Sequence, residues 1–366
     1  MNLRDKLMKK GMTKYLSRKI KFISVFAMVA VVFVNAYNYK EPLTPTSIIK
    51  YGFNPFAMFE YFFSNGLFSF SVPMFFAISG FLFFVKYKNT VQGYTHMIQK
   101  RAYSLLVPYI AWAILSGAAI LILSNFEPFN TIPFIKENTV ELQRCYVYLI
   151  KPPAFQFWFF RQLMLFAVLS PLIYVLIKYT KGFILIGFGA LWFLGLDYII
   201  SSTGLLYFSI GAAFAIFGMA DKVRKRGSIT LTIVSCAVWL GLSVTLTLLA
   251  ASKCENKLIM LTVYKLNELA GMVGLWFVFD HFVKLIRHKK GLLLASAHLF
   301  FVFALHEPLL HISYQTALIP DNSHSGHAIL YLCLPVSIIA LCIVISMMVR
   351  KLIKPVHSLL TGGRNH

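Results

Sequence analysis

Apolar residues fill this chain in ten stretches, each about long enough for a helix to cross the ~30 Å hydrocarbon core of a bilayer. Short charged or Pro- and Gly-rich interruptions separate them. The stretches lie near 20–39, 66–85, 103–124, 157–177, 183–200, 204–220, 229–251, 262–283, 292–313 and 327–349. The pattern predicts an all-α polytopic membrane protein with about ten transmembrane helices. The least regular are the closely spaced fifth and sixth stretches, and the eighth, whose first turns carry Lys265, Asn267 and Glu268. The longest outer loops, 40–65 and 125–156, are too short for an independent domain. They hold Pro42, Pro45, Pro55, Pro128, Pro133, Pro152 and Pro153. No fixed-period repeat is visible, which counts against an inverted-repeat transporter. Residues 1–366 therefore read as one membrane domain with a basic leader over 1–19 and a tail over 350–366.

Composition supports lipid as the main solvent. Hydrophobic residues make up 58% of the chain and charged residues 13%, about half the charged share of a soluble domain. The formal charge of +22 raises nucleic acid as a partner. The Lys and Arg residues nevertheless sit in short clusters between apolar stretches, not on one basic patch interleaved with aromatics, so no nucleic-acid partner is expected. With the amino terminus inside, 26 of the 35 Lys and Arg residues fall in inner segments, as the positive-inside tendency requires. An even number of spans returns the tail, beginning Arg350-Lys351, to the same side, so both termini are expected in the cytoplasm. The first apolar stretch is long and lacks a small-residue cleavage pattern, so it is expected to stay as a span.

Polar groups at membrane depth are costly and therefore informative. Asn35 and Asn38 end the first stretch, Arg161 opens the fourth, Lys265 and Glu268 open the eighth, and His306 and Glu307 lie late in the ninth. One reading is a polar pocket opening outward, with His306 a general base and Arg161 a clamp for an anionic group. The plainer reading pairs Lys265 with Glu268 along one helix face and lets Arg161 snorkel. Pro308 follows His306 and Glu307; its missing N–H frees a carbonyl one turn back, which is tolerated where polar surroundings satisfy it. His298 reads as packing and His96 as a solvated loop residue. The basic segment Lys86 to Arg101 suits anionic lipid, or an acidic metabolite such as a CoA phosphate. No nucleotide loop, CxxC pair, GxSxG elbow or HExxH motif occurs, and no metal spacing is seen. A Cys145–Cys254 disulfide is conceivable in an oxidising compartment, with two unpaired thiols the blander alternative.

Several segments, in order, resemble the integral-membrane acyltransferase family 3. Ser71 to Phe84, with Pro73, the Phe75-Phe76 pair and Ser79-Gly80-Phe81, is similar to that family's second-helix signature. Lys100-Arg101, then Leu105-Leu106-Val107-Pro108-Tyr109 and Trp112, is similar to its basic pair and Leu-Pro-Tyr segment. Phe157-Trp158-Phe159-Phe160-Arg161 with Pro171, Tyr207-Phe208-Ser209-Ile210-Gly211, and Ser296 to Leu309 with His306 and Pro308 continue the match. The resemblance implies a multi-pass protein of the bacterial inner or plasma membrane that takes an acyl group from an acyl-CoA, acetyl-CoA being one option. The acceptor it implies is a hydroxyl of an envelope glycan or glycolipid, with no tightly bound cofactor. It places His306, Asn35 and Arg161 at the chemistry, and Arg101, Tyr109, Ser79, Trp158 and Glu307 against substrate. One departure stands out: the family's first-helix Arg and His, separated by ten residues, read Ser24 and Asn35 here. Asn hydrogen-bonds but does not exchange a proton near neutral pH, so the general-base role does not carry over. The alternative is a non-catalytic member serving as a glycan exporter, transporter or accessory protein.

Overall fold

A computed structural model of the chain describes residues 14–37, 44–142, 155–219, 228–286, 290–317 and 323–363. Among them every regular element is helical, as the apolar pattern predicts. In chain order these are α1 (Lys14–Asn35), α2 (Pro55–Tyr61), α3 (Ser71–Phe84), α4 (Val91–Arg101), α5 (Val107–Leu123), α6 (Pro133–Leu142), α7 (Trp158–Val168) and α8 (Ser170–Tyr179). They continue with α9 (Ile184–Phe193), α10 (Ser202–Ile216), α11 (Ile229–Ala251), α12 (Lys257–Ile286), α13 (Lys290–Thr316), α14 (His324–Leu352) and α15 (Lys354–Thr361).

Among the described residues, six helical segments are long and apolar enough to cross a membrane, or seven if the bent pair α7 and α8 forms one span. On length and composition these residues give fewer spans than the expected ten. At the expected fifth and sixth spans stand the short apolar helices α9 and α10, and α1 carries Lys14, Arg18, Lys19 and Lys21 in its first two turns. Two expected boundaries also move. The second span starts at Pro55 instead of near 66, because the Asn54 side chain accepts from the backbone N–H of Phe56 and Ala57 and Pro55 occupies the first helical position. The basic segment after Lys86 is mostly helix, since α4 runs on through Ala102–Leu106 into α5. Both of these long spans contain a π-turn, Phe62–Leu67 in one and Ala102–Leu106 in the other. The residue inserted by such a turn is often associated with a functional site.

The chain divides into two compact units, residues 1–95 with 165–296, and residues 96–164 with 297–366. In the first unit, α3 and α10 cross with their backbones in contact. A Cβ placed on Gly80 would lie 2.0 Å from the Phe208 carbonyl oxygen, and one on Gly211 2.0 Å from that of Ala77. The Ser-Gly-Phe and Phe-x-x-Gly segments are thus the two halves of one seam, the small residues admitting an approach that any side chain would block. Around α1 an aromatic core forms: Phe26 stacks on Phe70 at 6.1 Å, and Phe70 meets Trp239 edge-on at 5.4 Å. Beneath it, fully buried Lys19 pairs with Asp280, which also accepts from the Tyr15 hydroxyl at 2.7 Å, while Trp276 lies 3.7 Å from the Lys19 ammonium.

In the second unit, α15 folds back against α5 and α13. The Trp112 indole donates to the Leu360 carbonyl at 3.1 Å, and the His357 ring stacks on Phe301 at 5.2 Å. Gly362 ends the helix at φ +62°, against the backbone of Ser104, where a side chain would be both strained and crowded. Nearer the end of α5, Ile120 packs with Ile132, Phe134 and Ile135 around the start of α6. Cys145, one half of the conceivable disulfide, lies outside the described residues.

Candidate functional site

Pro308 organises the candidate site of the second unit. Its ring nitrogen has no hydrogen to give the carbonyl of Ala304 one turn earlier in α13. That carbonyl instead accepts from the Gln156 side-chain amide at 2.7 Å. Gln156 immediately precedes the Phe-Trp-Phe-Phe-Arg segment, so this bond ties the start of α7 to the proline turn of α13. Phe160 stacks on Phe303 at 4.8 Å, and Phe157 meets the same ring edge-on at 5.6 Å. The aromatic half of the motif is therefore a wall packed against the helix that carries His306.

His306 is fully buried, and its Nδ1 lies 2.9 Å from both the Val302 and the Phe303 carbonyl oxygens. Two carbonyl acceptors require a proton on Nδ1, which in the neutral ring leaves the lone pair on Nε2. This is the tautomer of a base that accepts at Nε2. Glu307 is buried, with Oε1 3.2 Å from Nδ1 of the exposed His311. Tyr109 meets Phe157 edge-on at 5.9 Å, and the Arg161 guanidinium lies within electrostatic range of its hydroxyl. Arg161 is exposed, Arg101 and Trp158 are half-buried, and Tyr109 is buried.

These six of the eight expected site residues belong to the second unit: His306, Arg161, Arg101, Tyr109, Trp158 and Glu307. Asn35 and Ser79 belong to the first. The Asn35 amide donates to the Val31 carbonyl of its own helix at 3.0 Å, and the Ser24 hydroxyl does the same to Ile20 at 2.8 Å. Ser79 is half-buried on α3, next to the glycine of the seam.

The first unit holds a polar cluster for which the plainer sequence reading was a simple ion pair. Lys265 and Glu268 are both buried, yet no ion pair joins them; the ammonium lies 4.6 Å from the centre of the Trp192 ring. The Glu268 carboxylate faces the Tyr207 hydroxyl and the Trp192 indole N–H. A neighbouring network is fully closed. Asn267 accepts from the Ser243 hydroxyl at 2.9 Å and donates to the Gly66 carbonyl at 2.7 Å, an oxygen that lies within the π-turn. Asn65 in the same turn donates to the Tyr61 hydroxyl at 2.7 Å. His298, read as packing, has Nδ1 2.7 Å from the Ser346 hydroxyl, which in turn is 3.3 Å from Nε2 of His357.

Gln156, Tyr207 and Trp192 are the participants that sequence reasoning missed. Only Gln156 had a signal, since a proline inside an apolar span demands a donor from elsewhere. Among known proteins, the chain is 24% identical over 358 residues to the succinoglycan biosynthesis protein ExoH of Rhizobium meliloti (strain 1021), covering 95% of this chain and 92% of that one. No solved structure matches. The profile of an acyltransferase domain, Acyl_transf_3, matches residues 19–348. That match takes in both compact units and runs from the foot of α1 almost to the end of α14, so the chain belongs to the membrane acyltransferase family 3.

Proposed function

We propose that this protein is a membrane O-acyltransferase that moves an acyl group from an acyl-CoA thioester to a hydroxyl of a cell-envelope carbohydrate. The carrying observation is the acyltransferase match over residues 19–348, with a relative whose name places it in succinoglycan biosynthesis. His306 takes the proton of the acceptor hydroxyl at Nε2 as the oxygen attacks the thioester carbonyl. The C–S bond then breaks, and the proton returns to the departing CoA sulfur. Arg161 and Tyr109 supply charge and a hydroxyl toward the developing oxyanion, while Trp158 and Glu307 border the substrate. Arg101 serves the phosphates of the donor. Asn35 does not act as the base, since its amide exchanges no proton near neutral pH. Acetyl is the simplest acyl group compatible with this reading, and the bacterial plasma membrane its natural location.

The experiment is mass spectrometry of envelope glycans from cells with and without the gene, coupled to transfer from labelled acyl-CoA by the purified protein. The expected result is loss of one acyl mass from the glycan. His306→Ala should lower transfer by roughly a hundredfold or more at unchanged protein abundance, as for a lost general base. Transfer at the wild-type rate in His306→Ala would remove that residue from the chemistry. The non-catalytic reading is favoured by one observation, the Asn35 amide turned back onto its own helix. It predicts accumulation of an unmodified glycan precursor inside the cell and no acyl transfer in vitro.

A further inference from the structure

Two segments far apart in sequence meet at one end of the first unit, and each brings exposed lysines. The Tyr87 ring, just past α3, lies 5.5 Å from the Tyr174 ring of α8. Tyr174 in turn has the Lys178 ammonium 5.4 Å from its centre. The Tyr94 hydroxyl donates to the Val168 carbonyl at 3.1 Å, which holds the first turns of α4 beside the bend between α7 and α8. Lys86 and Lys88 flank Tyr87, while Lys178 and Lys181 stand at the end of α8, and all four are exposed. No Asp or Glu occurs between Glu60 and Glu127 or between Glu141 and Asp197, so neither segment supplies a counter-charge of its own.

The positive-inside tendency accounts for lysines on this side of a membrane, but not for their gathering around one pair of rings. Nor does the turn after α8 select lysine, since Lys181 holds φ +52°, a conformation that residues other than Gly, Asn and Asp adopt rarely. The chemistry of a partner follows from the side chains. Ammonium groups donate and carry positive charge, which calls for an anionic acceptor such as a phosphate oxygen. Tyrosine rings beside them settle at the level of lipid headgroups. Leu172, Val175 and Tyr179, at i, i+3 and i+7, are exposed on one face of α8 that runs away from Lys178. That face suits an acyl chain and not a water-soluble phosphate. A zwitterionic headgroup would bring another ammonium against the lysines.

We infer that this end of the first unit binds an anionic glycerophospholipid, its phosphate among Lys86, Lys88, Lys178 and Lys181 and one acyl chain along the exposed face of α8. The lipid bridges the connection between α3 and α4 to the end of α8, two places that the Tyr87–Tyr174 contact already brings together. None of these side chains is assigned to acyl transfer, so the inference stands whether or not the protein transfers an acyl group.

The test is native mass spectrometry of the full chain in a mild detergent, titrated with phosphatidylglycerol and with phosphatidylcholine of the same acyl chains. The first phosphatidylglycerol adduct is expected to be about tenfold tighter than the first phosphatidylcholine adduct. Lys86→Gln/Lys88→Gln and Lys178→Gln/Lys181→Gln should each weaken phosphatidylglycerol about tenfold or more and leave phosphatidylcholine unmoved, as expected when two of the cations around a phosphate are lost. The control is Lys253→Gln/Lys257→Gln, which removes the same charge from exposed lysines around the connection between α11 and α12 and should change neither affinity. Wild type alone gives a second measurement, needed should a variant fold poorly: raising the salt from about 0.1 to about 1 M shortens the screening length to about 3 Å and should abolish the preference for phosphatidylglycerol. Coenzyme A at the lipid's concentration should not displace it. Equal affinity for the two lipids at low salt overturns the inference. So does a control variant that weakens binding as much as the two lysine pairs, because the attraction is then to net charge and not to a site. Displacement by coenzyme A overturns the lipid as the source of the phosphate.

Discussion

Replacing Gly80 by Ala tests the backbone seam between α3 and α10. The added methyl would sit 2.0 Å from the Phe208 carbonyl oxygen and 2.8 Å from its carbon, whereas ordinary contact begins at 3.4 Å. The clash is with backbone, which has no rotamer to yield, so α10 must retreat by about 1.4 Å, the difference between those distances. A gap of that size forfeits well over a third of the dispersion energy of each atom pair it opens. Overpacking costs typically run to about 3 kcal/mol, and Ala in place of Gly in a helix returns about 1 kcal/mol. The control is Gly241→Ala in α11, an exposed position with nothing within 4 Å of the new Cβ, where only the propensity gain operates. The two variants add the same atoms to the same kind of backbone, so the propensity gain cancels between them. The difference of about 3 kcal/mol is then the seam alone. Equilibrium unfolding of both variants in a mild detergent, by titration with a denaturing one, measures it. Gly211→Ala should repeat the loss, and the double variant should cost less than the sum, because both substitutions open one interface. An unfolding midpoint for Gly80→Ala equal to that of Gly241→Ala would refute the reasoning.

Three further outcomes are expected. Gln156→Leu should destabilise by about 1–3 kcal/mol by stranding the Ala304 carbonyl. Adding Pro308→Ala, which restores the helical N–H, should recover most of that; equal stability of the single and double variants in detergent unfolding would sink the assignment. Lys19→Met leaves Asp280 charged and buried and should cost roughly 3–5 kcal/mol, with Lys19→Met/Asp280→Leu regaining most of it, checked by the same unfolding assay. Docking of α15 should weaken in acid. Burial, and then the nearby Arg350, hold the His357 imidazole below its usual pKa, so the docked state binds fewer protons than the undocked one. Docking is therefore complete at neutral pH and is lost as pH falls below the ordinary value of about 6.5. Hydrogen exchange over residues 354–361 at neutral pH and at about pH 5 reads this directly, with His298 facing the same ring at 6.4 Å. Exchange unaffected by acidification would refute it.

The helical class was legible because lipid leaves an open backbone few options, so long apolar stretches read as helices without knowledge of their neighbours. The seam was half legible: Gly80 and Gly211 announced close approach, but not that they approach each other. Helix starts were misplaced where capping overruled hydropathy. Asn54 and Pro55 start a helix among residues too polar to count as a span, and Val91 starts one inside a basic segment. The π-turns left no trace, since an inserted residue changes the register of the hydrogen bonds without changing composition. In the candidate site, Pro308 pointed to a required donor without naming Gln156, because the donor lies far away in sequence. The plainer reading of Lys265 and Glu268 paired them from their spacing, and spacing fixes only which face of α12 they share. Trp192, from a different helix, claims the ammonium.

That last case bears on how buried polarity is to be interpreted in this family of folds. A polar residue at membrane depth is ambiguous alone, because most such residues here are structural: Lys19 closes on Asp280, Asn267 on Gly66, Gln156 on Ala304. Each closed pair removes its own desolvation cost and is finished chemistry. A residue left open carries that cost until a ligand meets it. Glu268 closes in the same manner, its carboxylate facing the Tyr207 hydroxyl and the Trp192 indole N–H. The criterion for function is therefore the unmet hydrogen bond and not polarity as such. By that criterion Lys19 and Asp280, buried and closed on each other, belong with the fold.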